Sequence, residues 1–371
     1  MRGSVHRRGA KWRAVVDVTR GEGGERRQKT ATFSTRRAAD QWIARHMLAG
    51  PEGSTAARRL SVEAYFGYYL EQVEPSLKAG TRRSYQTALA RWTPLIGDAS
   101  LAKLTPLGIQ EALAHLAGMS LAPTTVRASY ATLRTALRQA MAWGLLEKDP
   151  TAGVKRPRCV DPEMRYWCQS EAARFIGFVN GKTRYDALYV TALTTGVRGG
   201  ELCALRWDDV VWDRCTVRIA RSLSWPSGEP PVVTDPKTYS SRRTIDLDAN
   251  TLRLLRSHRG RQAQERLRAG AAWEHPELVF STRTGGYLRQ ADLDHAFARL
   301  ARGAGVPAIR FHDLRHTHAT LLLADGRGVK EVADRLGHHD PAMTLRRYAH
   351  VLPDRRSQSA ESIGRALFGS L

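Results

Sequence analysis

Phe311-His312-Asp313-Leu314-Arg315-His316-Thr317-His318 opens a stretch that continues through Leu336-Gly337-His338-His339 to Arg346-Arg347-Tyr348. Apolar residues fall between these groups at helical spacing: Leu321 to Leu323 in one run, then Val329, Val332 and Leu336. Two helices, over 312–323 and 329–336, are therefore expected among these imidazoles, the guanidinium and the phenol. Those residue types suit phosphate chemistry. A guanidinium fork matches two phosphate oxygens, an imidazole moves a proton near neutral pH, and a tyrosine hydroxyl can act as a covalent nucleophile.

Upstream, helical periodicity recurs over residues 170–179, 185–194, 251–268 and 291–302, enclosing strand-like runs at 216–220 and 243–247 that read as hairpin strands. Two further features carry chemistry. Thr194-Thr195-Gly196-Val197-Arg198-Gly199-Gly200-Glu201-Leu202 sets an arginine at a glycine-rich helix junction, where backbone can approach a ligand and Glu201 can hold the guanidinium. Asp235-Pro236-Lys237-Thr238 forms a turn before the run at 243–247, so Lys237 can reach a substrate oxygen as a mobile acid or point charge.

The N-terminal third is organised differently. Residues 12–18 and 27–33 alternate like strands around a turn at Gly21-Glu22-Gly23-Gly24, and Ser34 or Thr35 can cap a helix running to about Leu48. A small basic sheet with one helix is a plausible reader of DNA grooves, although a solvated basic face would have the same composition. Residues 50–55 have linker composition. From 60 to 153 the pattern is wholly helical. Val62, Tyr65, Phe66, Tyr69, Leu70 and Val73 mark one helix, Thr81 opens a second, Thr105-Pro106 caps a third, and a fourth spans 124–143. Val154-Lys155-Arg156-Pro157-Arg158 then reads as a linker.

Charge points to the partner. Fifty-eight Lys and Arg against 36 Asp and Glu leave a net charge of +22 over 371 residues, distributed as +9 in residues 1–60, +3 in 61–155 and +10 in 156–371. Basic surface of this extent gains affinity for nucleic acid by releasing condensed counterions. Four cysteines without a C-x-x-C pair (Cys159, Cys168, Cys203, Cys215) read as reduced residues of a cytoplasmic protein, and no apolar run approaches the length of a membrane span.

Arg198, Lys237, His312 with Arg315, His338 and Tyr348 stand in the order Arg, Lys, His-x-x-Arg, His, Tyr, with His338 ten residues before Tyr348. In this the chain resembles the tyrosine recombinases of the phage integrase family, over roughly residues 160–360. The resemblance implies a multidomain, mainly α protein. Residues 1–55 would form an arm-type DNA-binding domain of a small β-sheet plus helix. Residues 56–155 would form a four-helix core-binding domain, and 156–371 a mixed α/β, mostly helical catalytic domain that closes with it around duplex DNA.

It also implies a mechanism. Tyr348 would attack the scissile phosphodiester to give a 3′-phosphotyrosyl link, and Arg198 and Arg315 would brace the non-bridging oxygens. His312 would manage the tyrosine proton, His338 would bond phosphate, and Lys237 would protonate the leaving 5′ oxygen, with neither cofactor nor metal required. The implied partners are double-stranded DNA with core-type and arm-type sites, a tetramer on that DNA, and accessory DNA-bending and excision factors in the nucleoid of a bacterial host, with no membrane role.

Other readings of the same residues stay open. His312 and His316, four apart, could ligate zinc, but Asp313 stands where the metalloprotease pattern has Glu, and no third ligand is evident. His316, His318, His339 and His350 read as packing, DNA-facing or surface residues, and Arg242 and Arg346 as solvated or phosphate-contacting charges. A type IB topoisomerase-like relaxing enzyme would use the same chemistry, and a regulator that no longer cuts would keep the DNA affinity. The N-terminal piece favours integration of a mobile element.

Overall fold

The computed structural model describes residues 3–8, 11–20, 26–36, 38–39, 42–43, 60–77, 79–159, 164–226, 229–234 and 242–348. The chain divides into two compact units, Met1–Pro162 and Glu163–Leu371. It is mainly helical with small antiparallel sheets. Among the described residues no helix is long and apolar enough to cross a membrane.

The first unit opens with a three-stranded antiparallel sheet, β1 (Gly3–Arg8), β2 (Lys11–Arg20) and β3 (Arg26–Phe33), with β2 in the centre. The sequence pattern predicts only the last two. Ala14 and Val16 on β2 pack with Ala39 and Ile43, and Thr35 Oγ1 accepts from the Ala38 amide. Thr35 is therefore the residue that caps the N-terminal helix; the part of that helix expected beyond Ile43, and the linker at 50–55, lie outside the described residues.

Four principal helices follow: α1 (Val62–Val73), α2 (Ala79–Ala90), α3 (Pro106–Gly118) and α4 (Pro123–Ala142). Ser61 caps α1 through the Ala64 amide, and Thr105 caps α3 through the Gly108 amide with Pro106 in the first turn, as its sequence predicts. Their apolar stripes meet in one core around Tyr65, Trp92, Leu116 and Leu137, all fully buried. Trp92 and Ser129, buried with them, are satisfied, since Trp92 Nε1 donates to the Ser129 carbonyl and Ser129 Oγ to that of Ala88.

The second unit contains α5 (Gln169–Val179), α6 (Asp186–Thr195), α7 (Gly199–Cys203), β4 (Val210–Val211), β5 (Thr216–Ile219), β6 (Ser222–Ser224), β7 (Val232–Thr234) and β8 (Arg243–Asp246). After them come α8 (Ala249–Ala269), α9 (Gln290–Gly303), α10 (Asp313–Ala324), α11 (Val329–Leu336) and α12 (Pro341–Tyr348). Strands β5 and β8 pair antiparallel, with Val217 opposite Ile245. They do not form a tight hairpin, because β6 and β7 are inserted between them as a second two-stranded ribbon. The four cysteines form no disulfide, with Cys203 buried and Cys168 and Cys215 exposed.

An aromatic cluster fixes the start of α10. Phe311 meets Tyr189 and Phe297 edge-on, with ring centroids 6.0 and 5.8 Å apart, and those rings pack in turn with Phe175. Edge-to-face pairs favour one relative orientation. Phe311 therefore anchors the chain immediately before His312 and Arg315. A smaller core of Ala319, Leu323, Val332, Leu336 and Tyr348 ties α10, α11 and α12 together.

Candidate active site

Helix α11 ends in a way that builds the site. The last carbonyls of any helix lack intrahelical partners and carry the negative end of its dipole. Here Gly337 adopts φ +67°, its amide bonds to the Asp334 carbonyl, and the His338 amide reaches that of Ala333. This is a Schellman closure, and the left-handed residue in it is glycine for steric reasons. A Cβ on Gly337 would also come within 2.9 Å of Arg243 Nη1.

The carbonyls left over are taken by three arginines from distant parts of the chain. Arg243 Nε donates to the Arg335 carbonyl (2.8 Å), Arg315 Nη2 to that of Leu336 (2.7 Å), and Arg198 Nη2 to that of Gly337 (3.2 Å). Three consecutive carbonyls thus hold three guanidiniums in a row. Arg315 Nη1 also donates to the Gly196 carbonyl, at 2.7 Å, where α6 ends in another left-handed glycine. A Cβ on Gly196 would meet His318 Cδ2 at 2.6 Å.

Glu201 supplies the carboxylate in the row. Its Oε1 accepts from Arg198 at 2.8 Å and its Oε2 from Arg243 at 2.8 Å, so the acid predicted to steady Arg198 steadies two arginines. Burial alone would raise this carboxyl, but the bonds and charges of Arg243 and Arg198 hold it below the usual range. Burial, then the charges of Arg198 and Arg243, lowers Arg315 to about 9, which leaves it a cation at neutral pH. Three guanidiniums against one carboxylate leave an excess of two positive charges. A phosphodiester approaching its transition state supplies the matching anion.

His338 follows Gly337 directly. Its Nδ1 lies 2.6 Å from Thr344 Oγ1, a fully buried hydroxyl on α12, so the histidine is oriented by the helix that carries Tyr348. Burial, then Arg315 and Arg198, lowers its pKa to about 4. Tyr348 itself is 1 % exposed at the end of α12, and burial pushes its phenol up to about 12 against the opposing charges of Arg315 and Arg347. Its hydroxyl stands 2.6 Å from His316 Nδ1.

Arg198, Arg315, His338 and Tyr348 are therefore brought together through the end of α11 and through α12. His312 sits exposed just before α10, its ring centroid 5.3 Å from that of His316 and edge-on to it. Lys237 and His350 lie outside the described residues. Among the described residues no group of three His, Cys, Asp or Glu is placed to hold a metal ion around His312 and His316 or elsewhere. His318 is a packing residue, its Nδ1 2.9 Å from the Leu193 carbonyl and its Nε2 accepting from Arg335 Nε.

Two residues of the site were not picked out by the sequence pattern. Arg243 lies in the Ser241-Arg242-Arg243 run with nothing to mark it as buried. From the sequence His316 reads as half of a possible zinc pair with His312 or as a packing, DNA-facing or surface residue, because helical periodicity places it one turn after His312 but does not reveal that α12 folds back onto it.

Comparison with known proteins gives the family and the fold. The model of the phage integrase family matches residues 167–355, and that of the phage integrase SAM-like domain matches 61–156. A tyrosine recombinase XerC-like protein of Caldanaerobacter subterraneus is 29% identical over 256 residues, 64% of this chain and 65% of that protein, so the match spans just under two thirds of that relative. The integrase of Mycobacterium phage FRAT1 is 30% identical over 300 residues, 80% of this chain and 85% of the phage protein. In three dimensions the Tn1549 transposon integrase, solved in complex with a circular intermediate DNA, superposes with a TM-score of 0.68 at 19% identity, covering 81% of this chain and 99% of that one.

Proposed function

The chain belongs to the phage integrase family, and from that premise we propose that it is a site-specific recombinase that cuts and rejoins DNA through a phosphotyrosyl intermediate on Tyr348. The observation that carries this reading is the row of Arg198, Arg315 and Arg243 on the end of α11, an anion site with net positive charge linked through His338 and Thr344 to the helix of Tyr348.

The Tyr348 oxygen attacks phosphorus and displaces the 5′ oxygen, leaving the chain joined to a 3′ phosphate. Bond energy is conserved in the ester, so rejoining to a new strand needs no nucleotide cofactor. Arg198 and Arg315 neutralise the charge that builds on the non-bridging oxygens, preorganised by the carbonyls and the carboxylate that hold them. His338 donates to the phosphate. Lys237 protonates the leaving oxygen from the segment between β7 and β8.

Residues 156–371 carry this chemistry, residues 56–155 grip the core site, and residues 1–55 read a separate arm site. The partner is double-stranded DNA, consistent with the net charge of +22 and with the DNA-bound integrase of similar fold. Each chain forms one ester and exchange of two duplexes breaks four strands, so four copies assemble on DNA. Integration and excision of a mobile element in a bacterial cytoplasm, aided by DNA-bending and excision factors, is the biological setting this implies.

A nicked suicide duplex supplied with a partner duplex tests the reading. Covalent protein–DNA complex together with recombinant joints is the expected result. Relaxation of supercoils without joints would move the chain to the topoisomerase-like class, and site binding with no covalent complex would make it a non-cleaving regulator.

A further inference from the structure

We propose that His316 is the base that takes the proton of Tyr348 during strand cleavage, with Asp313 setting its tautomer. This rests on the reading of Tyr348 as the nucleophile. It reassigns the role that the resemblance implies for His312.

A hydroxyl and a carboxylate flank the two nitrogens of one imidazole. The Tyr348 hydroxyl lies 2.6 Å from His316 Nδ1, and His316 Nε2 faces Asp313 Oδ1 at 4.0 Å. At that distance the carboxylate acts by charge, since a hydrogen bond needs a closer approach. A negative oxygen on the Nε2 side favours the proton there. Nδ1 is then left as the acceptor, and the phenol donates to it. Asp313 is ionised for this purpose: burial would raise its carboxyl, but hydrogen bonds from Arg310 hold it below the usual range. All three side chains are buried, at 1 % for Tyr348 and 4 % for His316 and Asp313, so a water does not displace the contact at low cost.

His316 is also next in sequence to Arg315, whose guanidinium holds the end of α11. The base and one phosphate brace are therefore fixed by adjacent residues of a single helix. The groups facing His316 are His312, Asp313 and Arg315 on or beside α10 and Arg347 and Tyr348 on α12. Burial and the positive neighbours lower its pKa to about 4, so the imidazole is neutral and able to accept at pH 7. A bound phosphodiester adds the negative charge that this cluster lacks, which makes the imidazolium easier to form at the moment of attack.

In the step so described the bond from Tyr348 oxygen to phosphorus forms and the bond from phosphorus to the 5′ oxygen breaks. The phenolic proton passes to His316 Nδ1, and the leaving oxygen takes a proton from the Lys237 ammonium. Rejoining reverses both transfers, so protons balance over the cycle.

The test is single-turnover cleavage of a nicked suicide duplex by the full chain between pH 5.5 and 8.5, with core-site binding measured for each variant. His316→Ala is expected to slow cleavage by roughly 10²- to 10⁴-fold, the usual weight of a general base, with binding unchanged and partial rescue by added imidazole. His316→Gln separates base from scaffold, because an amide oxygen accepts the tyrosine hydrogen bond but cannot take the proton. Cleavage by the Gln variant as slow as by the Ala variant, with rescue of the Ala variant by imidazole, supports the proposal. Wild-type rate and profile in His316→Gln, or faster cleavage in His316→Ala, overturns it and makes the histidine a holder of Tyr348. Tyr348→Phe run in parallel distinguishes the two levels: covalent complex in that variant sinks the nucleophile assignment itself, whereas its absence beside an active His316→Gln sinks only the role of the histidine.

Discussion

Glu201 and Arg243 form an ion pair at 2.8 Å with both side chains almost wholly buried, at 4 % and 6 % exposure. Arg198, 37 % exposed, takes the other oxygen of the same carboxylate. The difference in exposure divides the labour. Arg243 joins β8 to the end of α11 as structure, and Arg198 keeps its outer edge open.

Removing one partner of such a pair strands the other charge in the interior. Glu201→Ala is therefore expected to destabilise the second unit by about 3–5 kcal/mol, the usual cost of breaking a buried pair. Glu201→Gln should cost less, because the amide oxygen still accepts from one guanidinium. Chemical denaturation of both variants checks the order, and equal loss would show that charge rather than hydrogen bonding dominates.

Gly337→Ala tests the helix closure. A left-handed backbone costs a non-glycine residue about 1–2 kcal/mol, and here the added Cβ also crowds Arg243 Nη1 at 2.9 Å. The expected result is a lower thermal midpoint together with slower DNA cleavage, because the same turn fixes all three arginines. A variant that melts earlier yet cleaves normally would separate the turn from the site.

Acid should destabilise the second unit above the range where carboxylates titrate. His316 and His338 are lowered to about 4 and His318 to about 3 from an ordinary value near 6.5, in each case chiefly by burial. A depressed histidine binds more protons unfolded than folded, so its contribution is complete above about pH 6.5 and is lost as pH falls from there toward 4. Thermal midpoints measured at steps from pH 7.5 to 5 should fall steadily. A flat profile would mean that these imidazoles are solvated.

Lys237 has a chemical test that does not depend on its position. Lys237→Ala should depress cleavage of an ordinary phosphodiester far more than that of a 5′-bridging phosphorothiolate, whose sulfur leaves without needing a proton. Equal loss on both substrates would reduce Lys237 to a phosphate contact.

How much of this was legible in the sequence follows from the range of each interaction. The helices of the first unit were readable because their stripes and caps are local: Thr105-Pro106 announces α3 from two adjacent residues. Strand β1 was not, since Gly-Ser-Val-His-Arg-Arg offers one apolar residue and becomes a strand only by pairing with β2. That Arg198, Arg315, His338 and Tyr348 come together was expected from the resemblance that their order and spacing carry. That three arginines cap one helix was not readable, because the carbonyls they share belong to residues about 20 to 140 positions away in the chain and carry no side-chain signature. His316 was hidden in the same way. Its partner is 32 residues off and reaches it only when α12 packs over α10.

The most direct measurement is the identity of the residue that becomes joined to DNA. The covalent complex trapped on a nicked suicide duplex, digested and sequenced by mass spectrometry, should place the nucleotide on the Tyr348 oxygen, and Tyr348→Phe should bind the same DNA without forming the complex. A nucleotide on any other residue, or a complex that survives denaturant in Tyr348→Phe, would contradict it.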